Sequence, residues 1–151
     1  MCHGRRQPSR PLVTVPYDTA ASRPRVFSLN VLPAVAYAAA IFYGGLIRMR
    51  ELPEVGFVPT DKLLHAAVFG GFTLLLARAV RFLLTRASSL KCLWLGALGS
   101  SAVGALLEVC QAFVPYRSAD PLDWLADTVG AGLAAAALLG LTRVFPRLIE
   151  G

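Results

Sequence analysis

Apolar residues in this chain fall into four long blocks separated by short polar connections. The first, Leu29 to Ile47, runs for 19 residues without a charge. The second extends from Lys62 to about Leu84, with Arg78 and Arg81 near its far end. The third, Cys92 to Val114, carries only Glu108, and the fourth, Leu122 to Thr142, carries Asp123 and Asp127. Each block is near the roughly 20 residues that a helix needs to cross a hydrocarbon core about 30 Å thick, and far longer than a spanning strand. Inside lipid only helices and closed barrels satisfy their own backbone hydrogen bonds. The pattern therefore predicts an all-α, polytopic membrane protein with four transmembrane helices. Residues 1–28, with five arginines, four prolines and no apolar periodicity, read as a flexible basic tail. Residues 29–142 form the membrane domain and 143–151 a second short tail. Ala36-Tyr37-Ala38 resembles a signal-peptide cleavage site, but the apolar run continues through Ile41, Phe42 and Leu46, too long for the core of such a peptide.

Composition points the same way. Apolar residues make up 56% of the 151 and charged residues only 16%, against about 25% charged in ordinary soluble domains. A soluble domain of this size exposes much of its surface and needs more polar cover. The net charge of +6 does not indicate nucleic acid, because the basic residues sit at the ends of apolar blocks instead of lining one face. They do indicate orientation. Eleven Lys and Arg lie in the N-terminal tail, the second connection and the C-terminus, against four (Arg48, Arg50, Lys62 and Arg117) on the other side. That asymmetry predicts both termini in the cytoplasm. Cys2, Cys92 and Cys110 have no ligand spacing.

The acidic residues are distributed just as unevenly. Seven of nine (Glu51, Glu54, Asp61, Glu108, Asp120, Asp123 and Asp127) fall on the outer side or in the outer half of a helix. An ionised side chain in a membrane costs at least about 2.5–3.5 kcal/mol on insertion scales, so it needs a partner or a purpose. At 1.5 Å per residue, Asp127 and Glu108 lie roughly 9 Å below the outer helix ends and His65 roughly 7 Å. Gly96, Ser100, Gly104 and Glu108 recur at every fourth position, as do Asp123, Asp127 and Ala131, with Ala134 next on the same face. Packing these two small-residue strips together would bring Glu108 near Asp127. Asp61 and His65, four residues apart, share one helix face. Plainer roles account for some of these residues. Asp120 before Pro121 is a good helix N-cap, and His65 could simply bond a neighbouring helix. Glu108 and Asp127 are too deep for capping. Trp94 and Trp124 suit interfacial anchoring.

Asp61-Lys62-Leu63-Leu64-His65 followed by Phe69 resembles the D-K-x-x-H-x-x-x-F motif of the VanZ-like membrane proteins. A later run is similar to that family's second motif: Glu108, Gln111, Phe113, Pro115, Arg117, Asp120, Asp123, Asp127 and Gly130. The similarity covers about residues 29–142. The chain departs from the pattern at Tyr116, where the family often has Gly, and at Asp127, where many members have Asn. The resemblance implies a small four-helix envelope protein of the bacterial inner membrane, of the type whose namesake gives low-level teicoplanin resistance.

Asp61, Glu108, Asp120, Asp123 and Asp127 sum to −5, and Lys62 and Arg117 return +2. Carboxylates crowded at low dielectric call for cations or protons. Two functions fit. In the first, Asp61, Lys62, His65, Glu108, Gln111, Arg117, Asp120, Asp123 and Asp127 bind a polar head group. Its source would be a cell-wall lipid precursor or a lipoglycopeptide antibiotic, with Arg117 as the fork for a carboxylate or phosphate oxygen. In the second, a membrane enzyme acts on a lipid head group. His65 and Glu108 are its catalytic candidates, and Glu108, Asp123 and Asp127 offer oxygen ligands to a divalent cation. Membrane lipids are the expected partners and nucleic acid is not. Ion conduction would need a polar path through the inner halves of the helices, which are apolar.

Overall fold

The computed structural model describes residues 19–47 and 60–144, with side chains from Phe27 onward. Among the described residues the chain is helical throughout: α1 (Thr19–Leu46), α2 (Thr60–Leu83), α3 (Ser89–Ala112) and α4 (Pro121–Val144). All four are long and apolar enough to cross a membrane, the span of α1 being Phe27–Leu46. Cys2, Glu51, Glu54 and most of the basic N-terminal residues lie outside the described residues.

The helices match the four apolar blocks, with shifted ends. Residues 19–28, expected in the tail, are helical. Extending an existing helix costs far less than starting one, and the good helix formers Ala20, Ala21, Arg23 and Arg25 offset part of the cost of Pro24. α3 begins three residues earlier than its apolar block because Ser88 caps it, its hydroxyl accepting the Lys91 N–H at 3.3 Å.

α2 is the central helix and packs against the other three, whereas α1 touches α2 and α3 but not α4. The expected strip-to-strip packing of α3 on α4 is only partly present. Both strips lean on α2. Gly130 of α4 lies so close to Ala66 that an added Cβ would collide with its carbonyl, and Ala134 lies beside Gly70. On the α3 side, Gly96 backs onto Ala77, and the Ser100 hydroxyl donates to the Phe69 carbonyl at 3.0 Å. The reason is a third strip of small residues, Ala66, Gly70, Thr73 and Ala77, at the spacing that lets transmembrane helices approach closely. α3 and α4 meet where Gly104 backs onto Asp127.

The distribution of side chains is that of a protein solvated by lipid. Leu98, Leu106 and Leu133 are more than half exposed, while Thr73, Ser100 and Asp127 are fully buried. A large apolar core does exist where Ile41, Phe69, Phe72 and Leu107 meet, but the strongest polar groups are also inside. The charged ones among them, Glu108 and Asp127, lie toward one end of the bundle, whereas Thr73 and Ser100 are mid-helix.

Candidate functional site

The site is built on the first turns of α2 and α4, the last turns of α3, and the loop between α3 and α4. Asp120 is the N-cap of α4, as the Asp-Pro pair implies: its Oδ1 accepts the Leu122 N–H at 2.9 Å. Its own N–H donates to Glu108 Oε2 at 2.7 Å, which ties the end of α3 to the start of α4. Lys62, in the first turn of α2, donates to Asp120 Oδ2 and Asp123 Oδ1 and lies 3.4 Å from Asp61 Oδ2. The Lys62 ammonium and the Leu122 N–H hold the Asp120 carboxyl below the usual carboxylate range. One turn deeper, His65 Nδ1 lies 2.9 Å from Asp127 Oδ1, and its Nε2 is 3.8 Å from Asp123 Oδ2. The His65 ring stacks on Phe69, with centroids 6.4 Å apart.

Asp61, Lys62, His65, Glu108, Asp120, Asp123 and Asp127 thus form one continuous network. Asp61 is its exposed fringe and Asp127 its fully buried end. Two buried oxygens, Glu108 Oε1 and Asp127 Oδ2, have no hydrogen-bond partner among the described residues. A buried acceptor left without a donor costs about 1–3 kcal/mol, so these are the points where a donor would be most stabilising.

Gln111 and Arg117 do something else. Both donate to the Gly45 carbonyl, at 3.0 and 2.9 Å, and the Tyr116 hydroxyl donates to the Leu46 carbonyl at 3.1 Å. The last four carbonyls of a helix lack partners within it and carry partial negative charge. The α3–α4 loop therefore caps the C-terminus of α1. Arg117 makes no ion pair among the described residues: its Nε is committed to the end of α1, while Lys62 and His65 hold the neighbouring carboxylates. Tyr116, one of the departures from the family pattern, takes part in this cap. The sequence did not single out Gly45 or Tyr37. A backbone acceptor leaves no mark in the sequence beyond the helix end itself.

Beside the network is a cleft of about 340 Å³ between α1, α2 and α3. Tyr37, Ile41, Leu64, Val68 and Leu107 make its walls mostly apolar, and His65 and Arg117 are its charged lining. The volume is at the lower end of the range for small-molecule pockets. Among the described residues, no group of three or more His, Cys, Asp or Glu side chains is arranged to hold a metal ion. Glu108, Asp123 and Asp127 each take a separate protein donor: the Asp120 N–H, Lys62 and His65.

A model of the VanZ/LLP1 family matches residues 12–143, which include every residue of the network. No curated protein and no solved structure matches the chain.

Proposed function

Starting from the fact that this chain belongs to the VanZ/LLP1 family and has four candidate membrane spans, we propose that it binds the polar head group of an amphiphile at this site. The head group would meet His65 and Arg117, and part of the apolar tail would occupy the cleft beside Tyr37 and Leu107. One observation carries the reading: the 340 Å³ cleft is apolar along its walls, with a guanidinium and an imidazole at one end. Such a shape suits a molecule that is itself part lipid and part polar. A cell-wall lipid precursor fits this description, and so does the acyl-bearing part of a lipoglycopeptide antibiotic; a complete glycopeptide is too large for the cleft. In this reading the site opens to the extracytoplasmic leaflet of a bacterial inner membrane, with both termini cytoplasmic.

The test is photo-crosslinking from a reactive residue introduced at Ala40, which lines the cleft. A precursor-type lipid should be captured by the parent protein and lost with Arg117→Ala. Capture that is indifferent to both Arg117 and His65 would overturn the reading. Raised teicoplanin tolerance on expression, lost with the same substitution, would extend it to resistance.

The pair of His65 and Asp127 favours a second reading, an enzyme acting on a lipid head group. A buried carboxylate on Nδ1 fixes the imidazole tautomer and leaves Nε2 for acid–base work. Turnover of a lipid-linked substrate by purified protein, abolished by His65→Gln, would establish it. Its absence across lipid-linked substrates, with and without Mg²⁺, would leave binding alone.

A further inference from the structure

The other end of the bundle holds a separate cavity of about 470 Å³, to which all four helices contribute. Arg78 and Arg81, near the end of α2, line it together with Leu74, Phe82, Leu93 and Leu138. It lies far from the acidic network. Arg78 is thirteen residues beyond His65 on the same helix, roughly 20 Å at 1.5 Å per residue.

Charge is what distinguishes this cavity. Among the described residues every carboxylate (Asp61, Glu108, Asp120, Asp123 and Asp127) lies at the opposite end of the bundle. Arg78 and Arg81 accordingly make no ion pair among those residues. Each is held in place by a neutral acceptor: Arg78 Nε donates to Asn30 Oδ1 at 3.1 Å, and Arg81 Nη1 donates to Ser89 Oγ at 3.2 Å. Each such bond occupies one edge of a guanidinium and leaves further donors in the planar fork that matches phosphate oxygens. Ser89 is also the first residue of α3, so the positive end of that helix dipole lies at the same cavity. Two guanidinium groups, each held by a neutral acceptor, and a helix N-terminus beside apolar walls, near the ends of two candidate membrane spans, complement an anionic phospholipid. Basic pockets between transmembrane helices bind such head groups.

We propose that this cavity is a binding site for an anionic phospholipid of the leaflet opposite the acidic network. Its phosphate lies between Arg78 and Arg81, and the upper part of an acyl chain runs against Leu74 and Leu138. The site shares no residue with the one proposed above and stands or falls separately.

The test reconstitutes the full chain with equimolar phosphatidylglycerol and phosphatidylcholine and reads the bound lipids by native mass spectrometry. Phosphatidylglycerol should be preferred. Arg78→Gln or Arg81→Gln should each reduce that preference about fivefold, and the double substitution about thirtyfold. Replacing both by Lys, which keeps the charge, should preserve most of it. Arg86→Gln removes an arginine outside the cavity and should leave the preference within about twofold. Should the double Gln variant lose its helical circular dichroism, the single and Lys variants decide. Equal loss from Arg86→Gln would mean a diffuse basic field and no site. Displacement of the lipid by millimolar inorganic phosphate would assign the cavity to the free anion. No preference in the parent protein, or one that survives the double Gln substitution, would overturn the proposal outright.

Discussion

The contact between His65 and Asp127 offers the sharpest test of the acidic network, through a double-mutant cycle of His65→Ala and Asp127→Ala. Asp127 is fully buried, its Oδ1 lies 2.9 Å from His65 Nδ1, and its other oxygen already has no partner among the described residues. Removing His65 strands both carboxylate oxygens. Breaking a buried charged pair from one side costs about 3–5 kcal/mol in soluble proteins. Interhelical hydrogen bonds in a bilayer measure lower, about 0.6 and at most about 1.7 kcal/mol, because the unfolded chain finds other partners in the membrane. Asp127 sits about 9 Å from its helix end, shallow enough for the unfolded state to hydrate it, so stranding it in the folded state should cost near the larger figure. We expect about 3 kcal/mol for His65→Ala, about 2 for Asp127→Ala and about 3 for the double variant, a coupling near 2 kcal/mol. Asp127→Asn keeps an acceptor for His65 and should cost about 1 kcal/mol or less. The assay is unfolding in mixed micelles of increasing denaturing detergent, followed by helical circular dichroism. A coupling below about 0.5 kcal/mol, within the range of independent sites, would refute the contact.

Three further outcomes are expected. Gly130→Ala sets a methyl against the backbone of Ala66, which cannot swing away as a flexible side chain would. It should cost at least the 1–3 kcal/mol typical of overpacking in the same unfolding assay, and Gly132→Ala, with open space around it, should cost almost nothing. Lys62→Met removes the cation that keeps the Asp120 carboxyl low. Because that folded-state value is depressed, its stabilising contribution is complete above the ordinary value of 3.8 and disappears as pH falls through the lowered one. A carboxyl-carbon NMR titration should therefore show Asp120 titrating at higher pH in the variant, and an unchanged titration would contradict the ion pair. Arg117→Ala removes one of three side chains capping α1 and should cost about 1.5–3 kcal/mol in micelle stability, whereas Phe113→Ala, on the exposed side of the same loop, should be nearly silent.

The membrane architecture was legible from pattern alone, because crossing a bilayer demands about 20 apolar residues whatever their neighbours are. Part of the network was legible for a related reason. A carboxylate or histidine inside an apolar block is costly wherever it faces, so Glu108, Asp127 and His65 stand out before any contact is known. Their pairing was not legible. Equal depth and the two small-residue strips place Glu108 near Asp127, and Gly104 of the same strip does back onto Asp127, but which donor each carboxylate takes depends on a third strip, Ala66, Gly70, Thr73 and Ala77 of α2.

What the sequence determined by itself is how many helices there are, where they run and which residues cannot tolerate lipid, since each of these depends on transfer from water to hydrocarbon, residue by residue. What only the tertiary structure decided is who meets whom. α2 became the shared partner because its small residues admit a close backbone approach, Ala66 against Gly130. That choice gave Lys62 to Asp120 and Asp123, and His65 to Asp127, and left Arg117 and Gln111 to the free carbonyl of Gly45 at the end of α1. A donor takes the acceptor that close packing brings within 3 Å, and three-dimensional packing is a property of the whole bundle that no single segment encodes.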